Sequence, residues 1–400
     1  MPDFAQSKIE PRWQLQFGGA WPMAVAFVEG GKRLAAGNQL GQILLWDLET
    51  GGSAAESAPK SGDATGPSFN PVRLLSGHTN GVTRLVPSAD GRTLFSASLD
   101  HSIRAWDVAA PAAGEAEVLL DADTGVSPSR GDKKKAATAV KVAVQTASKE
   151  LTGHDDWVTS LAISRDGTRL ISGDEGARVI VWDASTRAEL SRWQGHAWNG
   201  IFAAALTADG KTAVVTEARH KRDDFDVPAA AARVWNVADG KEKLDLLLVQ
   251  FPKYDRTSTT YDGSQAWRKF VASGLVAVDI SPDGTLIALA QGGETDKGTA
   301  HLLELATGKL VRDIGSHQYG MTDARFSDDG QYLLSTGRDT MLCITRVSDG
   351  KQLHQLHKSR GGQFKDWLSA LAVSPDGRWL AASDIAGYVH VWEISADKKA

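Results

Sequence analysis

Short runs of alternating hydrophobic and polar residues, separated by tight polar turns, make up most of this chain of 400 residues. The stretch between positions 151 and 183 shows the pattern most clearly. Its alternating run Trp157–Ile163 leads into the turn Arg165–Gly167, and the runs Leu170–Ser172 and Val179–Trp182 flank a second, glycine-containing turn. Alternation with a period of two predicts β-strands, and Asp-Gly turns predict hairpins. We therefore predict three short antiparallel strands here, with a fourth strand on either flank.

The same pattern returns seven times along the chain. Its turn glycines lie at positions 31, 91, 167, 210, 284, 330 and 377, and a Trp-Asp pair or a variant of it closes each copy. Where no insertion intervenes, the spacing is close to the ~40–45 residues of a propeller blade. One repeat array can therefore use the whole length of the chain.

Each full copy contains a Gly-His pair, an inner strand, an Asp-Gly turn and a Trp-Asp pair, as from Gly77-His78 to Trp106-Asp107. This order of motifs resembles the WD40 family of β-propellers. The resemblance implies an all-β fold, a seven-bladed WD40-like β-propeller with four-stranded blades around a central channel. It also implies that the blades stack on their neighbours, because a single blade cannot bury both of its faces.

We predict one domain over residues 9–395. Its blades are expected at 21–76, 82–152, 158–194, 201–250, 275–314, 321–356 and 368–395. The last copy lacks an outer strand, and residues 9–17, with Trp13, Leu15 and Phe17 on one face, are expected to supply it. The ring would thus be closed by the N-terminal strand, which leaves no long exposed sheet edge.

Segments of different composition interrupt the blades. Loop insertions are expected at 50–70, 109–147, 217–231 and 251–270, and a polar tail at 396–400. The second insertion contains a basic run at Lys133–Lys135, a short strand predicted at Glu117–Leu120, and either a helical turn or a strand near Val140–Gln145. Residues 245–250 are expected to form the outer strand of the fourth blade.

In the family, a His, a Ser or Thr, an Asp and the terminal Trp form a hydrogen-bonded chain inside a blade. The resemblance implies a complete set in the second copy, made of His78, Ser96, Asp100 and Trp106. The third copy keeps His154, Ser172 and Trp182 but has Gly176 at the Asp position, and the sixth keeps His317, Ser335 and Asp339 but has Thr345 for Trp. We expect blades held mainly by packing, because each hydrogen bond adds only about 1 kcal/mol.

Candidate partner-binding residues lie near the starts of the inner strands, which in the family open on the narrower face of the disc. The aromatic candidates are Trp21, Trp157, Trp198, Trp267, Tyr319 and Trp367. Exposed aromatic side chains are typical anchors of binding surfaces. The alternative is that these rings simply pack on the next blade. Arg219, Lys221 and Arg222 are expected on the same face, where they could contact an acidic partner or form a solvated loop.

The sequence contains no motif typical of catalysis, phosphate binding or metal binding. The repeated Asp-Gly pairs supply turn geometry rather than a carboxylate cluster, and the chain has no phosphate-binding loop, nucleophile elbow or Cys/His metal box. We therefore expect no cofactor, no metal and no catalysis, and a monomeric scaffold that binds protein partners. The alternative function is small-molecule binding or enzymatic activity at the mouth of the channel.

Composition narrows the partner classes further. The net charge of −5 and the pI of about 6.1 argue against nucleic acid as a partner. No apolar run is long enough to span a bilayer, so no membrane insertion is expected, and the N-terminus does not resemble a signal peptide. The single cysteine, Cys343, excludes an intrachain disulfide and favours a cytoplasmic location. The Ala- and Gly-rich composition is typical of bacterial proteins.

Overall fold

A computed structural model describes residues 2–17, 20–51, 68–120, 138–146, 148–195, 199–219, 230–250, 274–292, 297–356 and 367–396. Strands, numbered β1 to β30 in chain order, dominate these ranges. The remaining elements are the 3-10 turns Phe4–Gln6 and Glu29–Gly31 and one short helix, α1 (Leu246–Gln250). The strands form seven antiparallel blades, numbered in chain order, each with an inner strand followed by three further strands. This topology confirms the predicted all-β, seven-bladed propeller class.

The chain divides into two compact units. The first, Met1–Leu151 with Thr340–Leu342 and Leu356–Ala400, holds blades 7, 1 and 2. Blade 1 contains β2 (Pro22–Val28), β3 (Arg33–Asn38), β4 (Ile43–Asp47) and β5 (Arg73–Leu75). Blade 2 contains β6 (Val82–Pro87), β7 (Thr93–Ser98), β8 (Ile103–Asp107) and β11 (Lys149–Leu151). Blade 7 contains β28 (Leu368–Val373), β29 (Trp379–Asp384), β30 (Tyr388–Ala396) and β1 (Ser7–Gln16).

The second unit, Thr152–Asp339 with Cys343–Gln355, holds blades 3 to 6. Blade 3 contains β12 (Val158–Ile163), β13 (Arg169–Asp174), β14 (Arg178–Asp183) and β15 (Glu189–Gln194). Blade 4 contains β16 (Asn199–Leu206), β17 (Thr212–Arg219), β18 (Ala230–Asn236) and β19 (Lys241–Asp245). Blade 5 contains β20 (Leu275–Ile280), β21 (Leu286–Gln291), β22 (Gly298–Glu304) and β23 (Leu310–His317). Blade 6 contains β24 (Met321–Phe326), β25 (Tyr332–Gly337), β26 (Leu342–Arg346) and β27 (Gln352–Leu356).

Neighbouring blades share their apolar cores. One cluster joins Ala24 and Ile43 of blade 1 to Val82 and Leu85 of blade 2, and other clusters join blades 7 and 1, 3 and 4, 4 and 5, and 5 and 6. Within each unit the inner strands pack side by side, in the order β28, β2, β6 and the order β12, β16, β20, β24. Burial of apolar area between sheets is therefore the main source of stability.

The N-terminal strand completes blade 7. β1 pairs antiparallel with β30, with Ile9 opposite Ile394 and Leu15 opposite Val389. Trp13 is buried against Trp379, with ring centroids 4.7 Å apart. The prediction that residues 9–17 supply the missing strand is confirmed, and the strand begins two residues earlier, at Ser7. β30 itself runs to Ala396, one residue into the predicted tail.

Residues 109–147 are more than a loop insertion, because strands lie at both places where the sequence indicated short elements, near Glu117–Leu120 and Val140–Gln145. They contain β9 (Gly114–Leu120) and β10 (Thr138–Gln145), a hairpin that joins the sheet of blade 1 because β10 pairs in parallel with β5. The physical reason is apolar alternation on one face of the hairpin, where Val118 and Val142 are buried in the core shared by blades 7 and 1. Blade 1 therefore has six strands.

The prediction of an outer strand at 245–250 was wrong. The outer strand of blade 4 is β19, which ends at Asp245, and the next residues form α1. Leu246 is completely buried in the core of blades 4 and 5, and the Gln250 side-chain amide donates to the carbonyl of Gly308 at 2.6 Å. The segment leaves the sheet edge because its apolar side chains cover blade 5 instead.

Hydrogen-bonded chains run through three blades. In blade 2, His78 Nε2 and Ser96 Oγ lie 2.7 Å apart, and Trp106 Nε1 donates to Ser96 Oγ at 2.8 Å. Burial alone would raise the pKa of Asp100, but hydrogen bonds from His78 and Ser102 hold that pKa well below its ordinary value. Blade 6 has the matching contacts of His317 with Ser335 and Asp339, each at 2.9 Å.

Blade 3 completes its chain with a residue that the sequence did not indicate. Asp174, at the end of β13, places its carboxylate 2.7 Å from His154 Nδ1, while Ser172 Oγ contacts His154 Nε2 and Trp182 Nε1. The expectation of a gap at Gly176 is therefore corrected. The final residue of the second strand can reach the same histidine nitrogen that a turn aspartate reaches in blade 2.

Other blades place a polar residue on the third strand instead. His390 Nε2 lies 2.7 Å from Asp384 in blade 7, and His301 Nδ1 lies 2.7 Å from Asp313 in blade 5. In blade 4 the buried Arg233 donates to Glu217, the sixth residue of the second strand, as Asp174 is in blade 3. A histidine on the third strand thus pairs with an acid even where the Gly-His pair is absent; this acid is buried in blade 7 (Asp384) and exposed in blade 5 (Asp313).

Close contacts fix the spacing between neighbouring blades. A side chain at Gly173 would begin 2.3 Å from Cγ2 of Ile201 on the next inner strand. Hydroxyl groups at the bulge of the inner strands add hydrogen bonds to the next blade, from Thr159 to the carbonyl of Ile201 and from Ser369 to the carbonyl of Pro22 at 2.8 Å. The blades therefore meet with no room for an added methyl group.

Deletion of residues 1–17 is expected to lower the free energy of unfolding by at least about 3 kcal/mol, because each large apolar side chain of β1 contributes about 1.5–3 kcal/mol by burial. Thermal and urea unfolding followed by circular dichroism measure the loss. The control, Lys8→Ala, removes an exposed ion pair with Glu10 and should change stability by less than about 0.5 kcal/mol. An unchanged midpoint for the deletion would contradict the prediction.

The substitution Ala36→Ser is expected to stabilise the protein by about 0.5–1.5 kcal/mol. Trp46 Nε1 is buried in blade 1 without a hydrogen-bond acceptor, and Ala36 occupies the strand position that Ser96 and Ser172 hold in blades 2 and 3. The matched variant Ser96→Ala should destabilise by about 1–3 kcal/mol, because it removes the hydrogen-bond partner of His78 Nε2 and of Trp106 Nε1. Urea unfolding measures the change in stability of both variants. A lower free energy of unfolding for Ala36→Ser would contradict the prediction.

Gly173→Ala is expected to cost about 1–3 kcal/mol, because the new methyl group overlaps Ile201. Gly114→Ala provides the control, since its added carbon meets no atom within 4 Å. Differential scanning calorimetry of the two variants gives the comparison. Equal melting temperatures would show that the interface between blades 3 and 4 is looser than the contact distances indicate.

Candidate functional site

A repeated backbone hydrogen bond positions three of the predicted tryptophans. The residue before the inner strand accepts, through its carbonyl, a bond from an amide in the turn after the second strand. The acceptors Trp21, Trp157 and Trp367 receive this bond at 3.1, 3.0 and 3.0 Å. Gly81, Gly274 and Gly320 occupy the equivalent position in blades 2, 5 and 6. We call this residue, together with the turn that donates to it, the corner of its blade.

The corner tryptophans of blades 1 and 3 are solvent-exposed. Trp21 is 37% exposed and Trp157 is 43% exposed, whereas Trp367 is partly buried. Tyr319 lies one residue before the corner position of blade 6, and its hydroxyl accepts a long bond from Gln318 at 3.4 Å. The structure therefore places Trp21, Trp157 and Trp367 at one equivalent position and Tyr319 beside it.

The other predicted partner-binding residues are not placed by the structure. Trp198, Trp267, Lys221 and Arg222 lie outside the described residues. Arg219 is the last residue of β17, and only its backbone is described. These four side chains and that of Arg219 remain sequence predictions.

Blade 1 presents a neutral, apolar corner. Leu40, in the turn next to Trp21, is 58% exposed. The Asn38 side-chain oxygen accepts bonds from the amides of Leu40 and Gln42 at 3.0 and 2.9 Å, which fixes this turn. A side chain at Gly41 would begin 2.6 Å from the carbonyl of His78, so the turn lies tightly against blade 2. The sequence pattern does not indicate Leu40 as a site residue, because a single leucine in a turn has no periodic signal.

Blade 3 presents an acidic corner. Trp157 follows Asp155 and Asp156, and the amide that donates to its carbonyl belongs to Glu175. Asp156 Oδ1 accepts from the Trp157 amide at 2.8 Å. The hydrogen bond and charge of Arg178 hold the pKa of Asp155 below its ordinary value. One carboxylate, that of Asp156, therefore contacts the backbone of this exposed residue, and two further acids adjoin it along the chain or across the corner bond.

Charged residues also line the inner strands of the second unit. Asp279 accepts from the amides of Ile280 and Phe326 at 2.9 and 2.7 Å, and burial raises its pKa above the ordinary value. Arg165 pairs with Asp328 at 2.7 Å, which links the first turns of blades 3 and 6. These groups mainly satisfy each other or the backbone, so we assign them a structural role.

Two features of the described ranges bear on function. Within those ranges, no group of three or more His, Cys, Asp or Glu side chains is arranged to hold a metal ion. None of the helices there has the length and apolarity that a membrane crossing requires.

Comparison with known proteins agrees with the strand topology. The family model for the WD domain, G-beta repeat, matches residues 69–107, 145–183, 308–345 and 350–393. These matches end on the third strands of blades 2, 3, 6 and 7, and the His-Ser pairs of blades 2, 3 and 6 fall at or within them. Blades 1, 4 and 5 have the same strand order without a match, so their repeats have diverged in sequence rather than in fold.

The chain is similar to several curated proteins. Autophagy-related protein 16 of Arabidopsis thaliana is 25% identical over 62% of this chain and 50% of its own length. Human echinoderm microtubule-associated protein-like 4 is 22% identical over 69% of the chain and 28% of its own length. WD repeat-containing protein 1 of Xenopus tropicalis is 21% identical over 93% of the chain and 61% of its own length.

The chain thus spans about half the length of the first of these relatives, less than a third of the second, and about three fifths of the third. These relatives are eukaryotic and give no support to the expectation of a bacterial source. Four matches to the repeat model, with blades of one topology on either side of them, show that this chain belongs to the WD40-repeat family of β-propeller proteins.

Proposed function

We propose that this chain is a non-catalytic scaffold that binds protein partners through its blade corners. The exposed indole rings of Trp21 and Trp157, held at equivalent backbone positions, carry this proposal. Membership of the WD40-repeat family supports it, since related chains of this family are generally interaction scaffolds rather than enzymes.

The physical basis of the proposal is rigid display. A corner tryptophan is tied through its own carbonyl to a turn of the same blade, so its backbone is already ordered before a partner arrives. Pre-ordering lowers the entropic cost of association. Covering an exposed tryptophan can then contribute a few kcal/mol, which is why tryptophan is frequent among binding hot spots.

The alternative of a ligand or catalytic site along the inner strands has less support. Asp279 uses its carboxylate oxygens to accept backbone amides, and Arg165 is paired with Asp328. A substrate would have to displace these bonds before it could be held. We further propose that the protein works in the cytoplasm as a monomer until it meets a partner, since its single cysteine provides no disulfide.

Photocrosslinking tests the proposed function. p-Benzoylphenylalanine is introduced in place of Trp21, Trp157 or Leu190, and the variants are expressed in cells of the source organism and irradiated. Leu190 is the matched control, because it is 48% exposed but lies on β15, away from the corners. We expect defined protein adducts from the two corners and little or no adduct at Leu190, because photocrosslinking requires the partner to lie in direct contact with the probe. Equal labelling at all three positions would contradict the proposal.

A further inference from the structure

The β9–β10 hairpin departs from the four-stranded blade pattern. It extends blade 1 by two strands, so that β9 (Gly114–Leu120) lies at the end of a six-stranded sheet. Among the described residues, no strand pairs with the outer side of β9. Alternate backbone N–H and C=O groups of an edge strand point away from its sheet, and another chain can pair with them.

β9 lacks the irregularity that protects other outer strands. The outer strand of blade 2 is only three residues long. In blades 3, 4, 5 and 7 the outer strand contains an extra residue that interrupts its register, and these residues are Leu190, Lys243, Val311 and Arg12. Short length, bulges, proline and lysine all hinder unwanted strand pairing. β9 has none of these features, because it pairs one to one with β10 at seven successive positions and contains neither proline nor lysine.

Contacts with the blades hold the hairpin in place. Val118 and Leu120 are buried in the apolar core shared by blades 7 and 1. The Arg73 guanidinium donates to the carbonyls of Val108 and Ala110 at 3.0 and 2.7 Å, where the chain leaves blade 2 for the hairpin. A strand that is ordered before its partner arrives loses less entropy on pairing. The edge is therefore presented in a fixed position.

The exposed face of β9 is acidic towards its start and apolar towards its end. Glu115, Glu117 and Leu119 alternate with less exposed positions, and Leu119 is 53% exposed. On the β10 side, Glu117 lies opposite Lys141, whereas Glu115 lies opposite Ala143. A strand added on the other side of β9 would place its own side chains directly beside the two glutamates and the leucine. Cationic side chains beside the glutamates and an apolar side chain beside the leucine are the favourable cross-strand pairs.

The same side chains argue against a second copy of this chain as the occupant. Two β9 strands in antiparallel pairing with full overlap would place Glu117 directly opposite Glu117. Like charges at directly opposite positions are destabilising, and charged side chains are a usual guard against self-association at a sheet edge. A partner of complementary charge removes this repulsion.

We propose that the outer edge of β9 binds an extended, basic segment of a protein partner by strand addition, with lysine or arginine beside Glu115 and Glu117 and an apolar side chain beside Leu119. Backbone hydrogen bonds supply the affinity of this binding mode, and the alternating side chains supply its specificity. The surface shares no residue with the blade corners, so its failure would leave the function proposed above untouched.

Fluorescence anisotropy with the full chain and a fluorescein-labelled peptide tests the binding mode. The probe is Thr-Ile-Thr-Lys-Thr-Lys-Thr amide, which in antiparallel pairing sets isoleucine beside Leu119 and the lysines beside Glu117 and Glu115. Two modified forms are N-methylated either at the second, fourth and sixth residues or at the third, fifth and seventh. We expect saturable binding that one modification weakens at least about tenfold and the other leaves nearly unchanged, because only one edge of the added strand faces β9.

Charge reversal tests the side-chain recognition. The double variant Glu115→Lys and Glu117→Lys should weaken binding of the unmodified peptide at least about threefold, since it replaces attractive cross-strand pairs with repulsive ones. A peptide with glutamate in place of both lysines should show the reverse preference. The matched control, Asp239→Lys with Glu304→Lys, changes the net charge equally at exposed positions of blades 4 and 5 and should leave the affinity unchanged. Unchanged melting temperatures check that both variants are folded.

The inference would be wrong if the two N-methylated peptides bound equally, if charge reversal on β9 had no greater effect than the control, or if binding did not saturate by about 1 mM peptide. Analytical ultracentrifugation of the unbound chain examines the other occupant. We expect a monomer, whereas a dimer that the peptide dissociates would assign the edge to a second copy of the chain.

Discussion

A four-stranded blade of this chain cannot bury both of its faces alone, and the rest of the structure follows from that constraint. The apolar clusters identified among the described residues lie between two blades rather than inside one. The interface is close enough that Gly173 faces Ile201 with no space for a side chain. Neighbouring blades must therefore keep the same strand order and tilt even where their sequences have diverged.

Hydrogen-bonded networks are secondary to this packing. Blades 2, 3 and 6 contain a His-Ser pair with an acid, whereas blade 1 buries Trp46 with no acceptor for its indole nitrogen. Blade 1 is nonetheless a regular sheet, which even extends to six strands. A missing hydrogen bond costs about 1 kcal/mol, whereas the burial of a tryptophan contributes more, so packing decides whether a blade forms.

The corners also depend little on the identity of individual side chains. The corner bond uses only backbone atoms, so the side chain at that position is free to vary between glycine and tryptophan without loss of the turn. Exposing a tryptophan side chain to water at this position is unfavourable in free energy, and that side chain takes no part in the corner bond. Two of the three corner tryptophans are well exposed, and their neighbours differ in charge. One scaffold geometry can in this way present distinct binding chemistries on different blades.

The sequence by itself determined the repeat number, the strand order and the closing strand at β1, because alternation, Asp-Gly turns and the terminal Trp-Asp pairs are local signals. It also identified the tryptophans that precede the inner strands. Only the tertiary structure decided that Asp174 replaces the expected acid near Gly176, since a contact with His154 depends on strand ends that meet in space. The same holds for the pairing of the β9–β10 hairpin with β5 and for α1, whose apolar residues are buried by neighbouring blades rather than by their own segment. Long-range packing, which no local pattern records, set those elements and the surroundings of each corner.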